Sequence, residues 1–156
     1  MQIWIEAGDL PGRSCGPSPD APDGYPNVHV GVQRRNRRDE LLGLVAGDAA
    51  GAQWVLDCEA ARTADGLDLR GPHIQGPPGK RFIYLSWGSV DGTGFHLFRR
   101  AKLLLDAVPA SVLDGALESG VLVGQLGLTD GKGHPLCAAV RPPLVKWFVG
   151  RGAPTT

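Results

Sequence analysis

No stretch of this chain approaches the roughly 20 consecutive apolar residues that a membrane-crossing helix needs, so no membrane partner is expected. There is no basic excess either: Lys plus Arg and Asp plus Glu both number 16, a formal net charge of zero. A domain built to grip a nucleic-acid backbone carries clustered surplus positive charge, so no nucleic-acid partner is expected. The opening "MQIWIEAGDLPG" has neither the basic start nor the long apolar core of a secretory signal. Cysteine is scarce and odd in number, at Cys15, Cys58 and Cys137. Without a CxxC pair, zinc-ribbon and thioredoxin-like chemistry is excluded, and free thiols in the reducing cytoplasm are the expectation. Cys58 and Cys137 sit in strand-like runs and read as small core residues. Cys15, in the loop "GRSCGPSP", is the thiol expected near the surface.

The common catalytic and cofactor signatures are also missing. "GPPGKR" invites a phosphate-loop reading, but GxxxxGK[ST] would require glycine at Ile74 and a hydroxyl at Arg81. No helix follows to aim its N-terminus at a phosphate, and no GxGxxG opens a βαβ unit. The histidines, His29, His73, His96 and His134, are isolated, with no HxH, no HExxH and no carboxylates at ligand spacing. No metal and no cofactor are expected. A G-x-S-x-G elbow is absent, and a triple such as Ser86, His29 and Asp57 is one that any chain of this size offers.

What remains is alternation. Period-two apolar patterning runs through "QIWIE", "VHVGVQ", "AQWVLDCEA", "KRFIYLSWG" and "FHLFRRAKLLL", punctuated by glycine, proline and aspartate turns. Helical spacing occurs once, in "PASVLDGALESG", with Pro109 at the start and Gly120 just past the end. The expected fold is mainly β: an antiparallel sandwich or a curved, barrel-like sheet with one flanking helix at about residues 109–119. One domain over residues 1–150 and a frayed tail over 151–156 are expected. The tract "RRNRR" (Arg34 to Arg38) reads as the long, solvated tip of a hairpin rather than a phosphate contact, since it lacks interleaved aromatics and runs straight into Asp39 and Glu40. "VLVGQLGLTDGKGHPLCAAV" reads as strand, turn, strand. The loop from Ala7 to Asn27 is long enough to act as a lid or to wrap a sheet edge.

Candidate site residues come from strand faces. In "FHLFRRAKLLL", strict alternation places Arg99 in the row of Phe95, Leu97, Ala101 and Leu103. A buried guanidinium needs either a carboxylate, such as Asp57 or Glu6, or a polar cavity where a ligand anion sits. The opposite row, His29, Gln33, Tyr84, Ser86, His96 and Arg100, forms either a polar cleft or a solvated face. The leading expectation is a binding domain for a small polar or anionic molecule. Its ligand-contacting residues are Arg99, Arg100, Gln75, Gln33, Trp87 and Tyr84, with the Gln75–Gly79 turn on the rim. The alternatives are a cofactor-free enzyme of cyclase or isomerase type, using Tyr84, His96 or His29 as general acid or base, and an interaction module without a small-molecule site. For "RGPHIQGPPGKRFIYLSWG" the question is whether its paired turns cradle a ligand or only start a strand.

Taken together, "DLPGRSCGP", "NVHVGVQRR", "DLRGP", "IQGPPGKRFIYLSWG", "FRRAKLLLDAVP" and "VGQLGLTD" resemble an uncharacterised actinobacterial family known as domain of unknown function 5990. The likeness runs from about Met1 to Trp147. It implies a cytoplasmic single-domain protein, with specialised metabolism as the setting for the enzyme alternative, and it carries over no catalytic residue. His73 stands where the resemblance implies an aromatic residue.

Overall fold

Alternating apolar residues become strands where one face of the ribbon can be buried, and this chain does so repeatedly. The computed structural model describes residues 1–7, 28–46, 52–64, 66–127 and 144–151. Ten strands are present among them: β1 (Gln2–Ala7), β2 (Val28–Arg34), β3 (Arg37–Ala46), β4 (Ala52–Asp57), β5 (Glu59–Thr63), β6 (Gly66–Arg70), β7 (Phe82–Asp91), β8 (Gly94–Leu104), β9 (Val121–Gly127) and β10 (Leu144–Val149). A short 3₁₀ turn (Leu105–Ala107) and one helix, α1 (Ala110–Ser119), join β8 to β9. The fold is mainly β with one helix, as its patterning predicts. The long loop at 8–27, the turn and return strand at 128–143, Cys15, Cys137 and His134 lie outside the described residues.

The strands form two four-stranded sheets, ordered β10-β9-β1-β4 and β3-β2-β7-β8, and a separate β5-β6 pair. Among the described residues no sheet closes into a barrel, and the expected all-antiparallel pairing is corrected at one place, since β1 pairs with β9 in parallel. Ile3, Ile5, Trp54, Leu56 and Leu122 of the first sheet are buried in one cluster with Val30, Val32, Ile83, Leu85, Trp87 and Leu103 of the second. Such burial stabilises by about 1.5–3 kcal/mol for each large side chain. Helix α1 adds Ala116, with Val112 and Leu113 packed against the same cluster. It ends where Gly120 takes a left-handed conformation and donates its N–H to the Ala116 carbonyl, the end expected of a terminal glycine.

Three sequence readings are revised. "AQWVLDCEA" is not one strand: it breaks at Cys58, leaving β4 in the first sheet and β5 paired only with β6. The hairpin tip is short, because Arg35 and Asn36 alone separate β2 from β3, with Asn36 at φ 60°. Asparagine tolerates this angle better than most residues. Third, alternation in β8 is interrupted. Trp87 pairs with Arg99 but Gly88 pairs with Leu97, leaving Phe98 as the extra residue of a bulge. One such insertion exchanges the two faces. Arg99, Ala101 and Leu103 therefore share register positions with the inward row Trp87, Leu85 and Ile83, whereas His96 and Arg100, placed in one row by strict alternation, fall on opposite sides.

Candidate functional site

The glycine–proline stretch has a structural occupation. Gln75 and Phe82 exchange backbone hydrogen bonds of 2.8 and 2.9 Å, closing a loop in which Lys80 donates to the Pro77 carbonyl at 3.0 Å. Gly76 opens the loop at φ 88°, an angle glycine adopts without steric penalty. Arg81 then clamps it. Its Nε and Nη2 donate to the two carboxylate oxygens of Asp68 at 2.9 and 3.1 Å, and Nη1 donates to the Gly76 carbonyl. Asp68 also accepts from Arg70 Nε at 2.7 Å. These bonds, led by that from Arg81, hold the Asp68 carboxyl down at about 2. The turn thus starts β7 and is stapled to β6 by a forked ion pair.

The sequence candidates are distributed rather than gathered. Trp87 is a core residue, 1% exposed, and among the described residues its Nε1 has no hydrogen-bond partner, nor has Gln75 Nε2. Gln33 is buried and accepts a long 3.4 Å hydrogen bond from Ser86. Tyr84 lies edge-on to Phe82, with the Arg100 guanidinium 5.2 Å from its ring centre and Lys102 Nζ 4.4 Å from that of Phe82. That cation–aromatic ladder occupies Arg100. Arg99 takes the register position opposite Trp87; its side chain lies outside the described residues. His96 lies exposed near the start of β8, paired with Ser89, its Nε2 2.7 Å from Thr93 Oγ1 and 3.0 Å from Asp91 Oδ1 of the adjoining turn. His29 pairs with Gly88 on the far side of β7. Among the described residues no group of His, Cys, Asp and Glu could hold a metal ion, and no helix is long and apolar enough to cross a membrane.

A different set of residues converges. The β2–β3 tip, the β4–β5 junction and the segment after β6 border one open cleft of about 690 Å³. The tip contributes Arg34, Arg35, Asn36 and Arg37, and β6 ends in Arg70 at the cleft. The Arg35 N–H donates to the Pro72 carbonyl at 2.7 Å, tying the tip to the cleft's other side. Glu40 uses one oxygen on each neighbour, 2.9 Å from Arg34 Nη1 and 3.5 Å from Arg37 Nη1, and so orients two guanidiniums. Asp57, Cys58 and Glu59 of the β4–β5 junction complete the lining, Glu59 as the register partner of Arg70 across β5 and β6. Half-buried His73 lies close by, and its pKa is lowered by burial and by the positive charge of Arg34.

From the sequence, Arg34, Arg35 and Arg37 read only as a solvated tip, and Arg70 is not singled out. The signal was present in "RRNRR", but nothing local shows that Pro72 docks on it.

Cys58 is not a nucleophile poised in this cleft. Burial, first among its causes, pushes the thiol up to about 11, and reactivity requires the thiolate. Peptide-resolved alkylation of the native protein at neutral pH should label Cys58 slowly and in step with unfolding. Fast labelling would mean that the thiolate is accessible.

Two apolar-cored sheets, a stapled glycine–proline turn and an arginine-lined cleft define a β-rich domain without a recognisable catalytic constellation among the described residues. The chain belongs to a family of unknown function, DUF5990, whose model matches residues 1–150. No curated protein and no solved structure matches it.

Proposed function

We propose that this domain binds a small anionic molecule, and that the arginine cleft is where it does so. The observation that carries the reading is the convergence of Arg34, Arg35, Arg37 and Arg70 on one open cleft, two of them oriented by Glu40. Guanidiniums held by carboxylates are pre-organised donors for phosphate or carboxylate oxygens. A volume of about 690 Å³ falls within the roughly 300–1,000 Å³ typical of small-molecule sites. The ligand class foreseen for Arg99 and Arg100 is kept and its anchor moves to the hairpin tip. Neither Arg100 nor the Gln75–Gly79 turn is among the cleft's described lining residues.

The test is a thermal-shift screen with phosphorylated and carboxylated metabolites, repeated with Arg35→Gln. The exposed Arg35 side chain makes no hydrogen bond or salt bridge among the described residues, so the variant should melt as the wild type does. A binding anion should raise the wild-type melting temperature in proportion to log concentration. In the variant its affinity should fall about tenfold, as for loss of a charged hydrogen bond. Equal stabilisation of both proteins, or of neither, would count against the cleft.

A further inference from the structure

The charges around this cleft are not all spent on one another. Arg34 and Arg37 share Glu40, and Arg70 turns back along its own strand to Asp68. Arg35 uses its backbone N–H on Pro72, and its guanidinium has no acidic partner among the described residues. The β4–β5 junction shows the converse. Glu59 is the register partner of Arg70 across β5 and β6, yet it forms no salt bridge among the described residues because Asp68 has taken that arginine. Among the described residues Asp57 accepts only a 3.4 Å hydrogen bond from the Gln2 side-chain amide. Among the described residues, one open cleft therefore carries a guanidinium without an acidic partner from the β2–β3 tip and two carboxylates without a salt bridge from the β4–β5 junction.

A simple anion satisfies the guanidinium and is repelled by the carboxylates; a simple cation meets the reverse. A molecule with both charges satisfies both, and repulsion of the alternatives is itself a source of selectivity. We infer that the ligand of this cleft is a zwitterion, with a phosphate or carboxylate set against Arg35 and its neighbours and an ammonium group set between Asp57 and Glu59. This inference rests on the anion-binding reading and narrows it.

The experiment is an amide-resolved NMR titration of the full chain with O-phosphoethanolamine, ethyl phosphate, β-alanine, propionate and ethylamine. The two zwitterions should shift cleft amides, those of Arg35, Asn36 and Gly71 foremost. At least one should bind about fivefold tighter than its own anionic half, the gain of one exposed ion pair. The two pairs of probes separate a phosphate-preferring from a carboxylate-preferring site. Combining Asp57→Asn with Glu59→Gln, both on exposed side chains, should erase the zwitterion's advantage without weakening the anionic half. Binding of the anionic halves as tightly as the zwitterions overturns this inference and leaves the anion site standing. Silence of the cleft amides to every phosphate and carboxylate probe overturns both.

Discussion

Replacing Asp68 by asparagine should cost about 3 kcal/mol of stability, the low end for breaking a buried ion pair. Asp68 is 3% exposed and Arg81 14%, whereas Arg70 is 63% exposed and keeps its water. Asparagine leaves the Arg81 guanidinium desolvated without its counter-charge, and the Gly76–Lys80 loop loses its staple. Denaturant unfolding of the two proteins measures the difference; a loss under about 1 kcal/mol would mean that the pair behaves as a surface one. Arg70→Gln serves as the control, with a cost within that surface range.

The same pair sets an acid limit. The folded pKa of Asp68 is depressed from 3.8 to about 2, so the carboxylate's contribution is fully present above the ordinary value. It drains away as pH falls from about 4 through about 2. The stability gap between wild type and Asp68→Asn should be flat at neutral pH and should close across that interval. Asp91, held low mainly by hydrogen bonds from Thr93, titrates in the same window but is common to both proteins and cancels in the difference.

Gly43→Ala should also cost about 3 kcal/mol, for two physical reasons. Gly43 has φ 59°, and a left-handed conformation costs a residue with a Cβ roughly 1–2 kcal/mol. In addition, an added Cβ would lie 2.6 Å from Trp54 Cδ1, and crowding a packed core typically costs about 1–3 kcal/mol more. Trp54 is 1% exposed and cannot swing into water, and its Nε1 donates to the Gly43 carbonyl at 2.8 Å. That hydrogen bond joins β4 of one sheet to β3 of the other. Gly43 lies where the β2–β3 register slips between Val30 and Val32, the bulge in which a left-handed glycine is favoured. Thermal and denaturant unfolding test the figure; near-wild-type stability would show that the sheets are not joined there.

How much of this was legible depended on the range of the interaction. The rows Ile83, Leu85, Trp87 and Val30, Val32 were readable because a strand's facing repeats every second residue and needs no knowledge of neighbours. Helix α1 was readable because its spacing and its terminal glycine are local. The β8 bulge was not, because nothing in "LFRRA" marks Phe98 as the residue that β7 leaves unpaired; missing it placed His96 in the wrong row. The break at Cys58 was hidden for a similar reason, since alternation continues smoothly through "VLDCEA" while the pairing partner changes. Asp68 carries no local mark between Leu67 and Leu69, and its burial beside Arg81 depends on contact between residues 13 apart.

By itself, then, the sequence determined a mainly β domain with one helix and the inward rows of β2 and β7. It also determined that the common nucleotide, zinc and nucleophile motifs are missing. Those properties follow from backbone periodicity and side-chain inventory, which are local. Only the tertiary structure decided which arginines meet. Arg35 and Pro72 are joined by a backbone hydrogen bond between two loops, and Arg70 is partnered by Asp68 rather than by its register neighbour Glu59. Charge placement over such distances is set by packing, and packing is where a linear pattern stops carrying information.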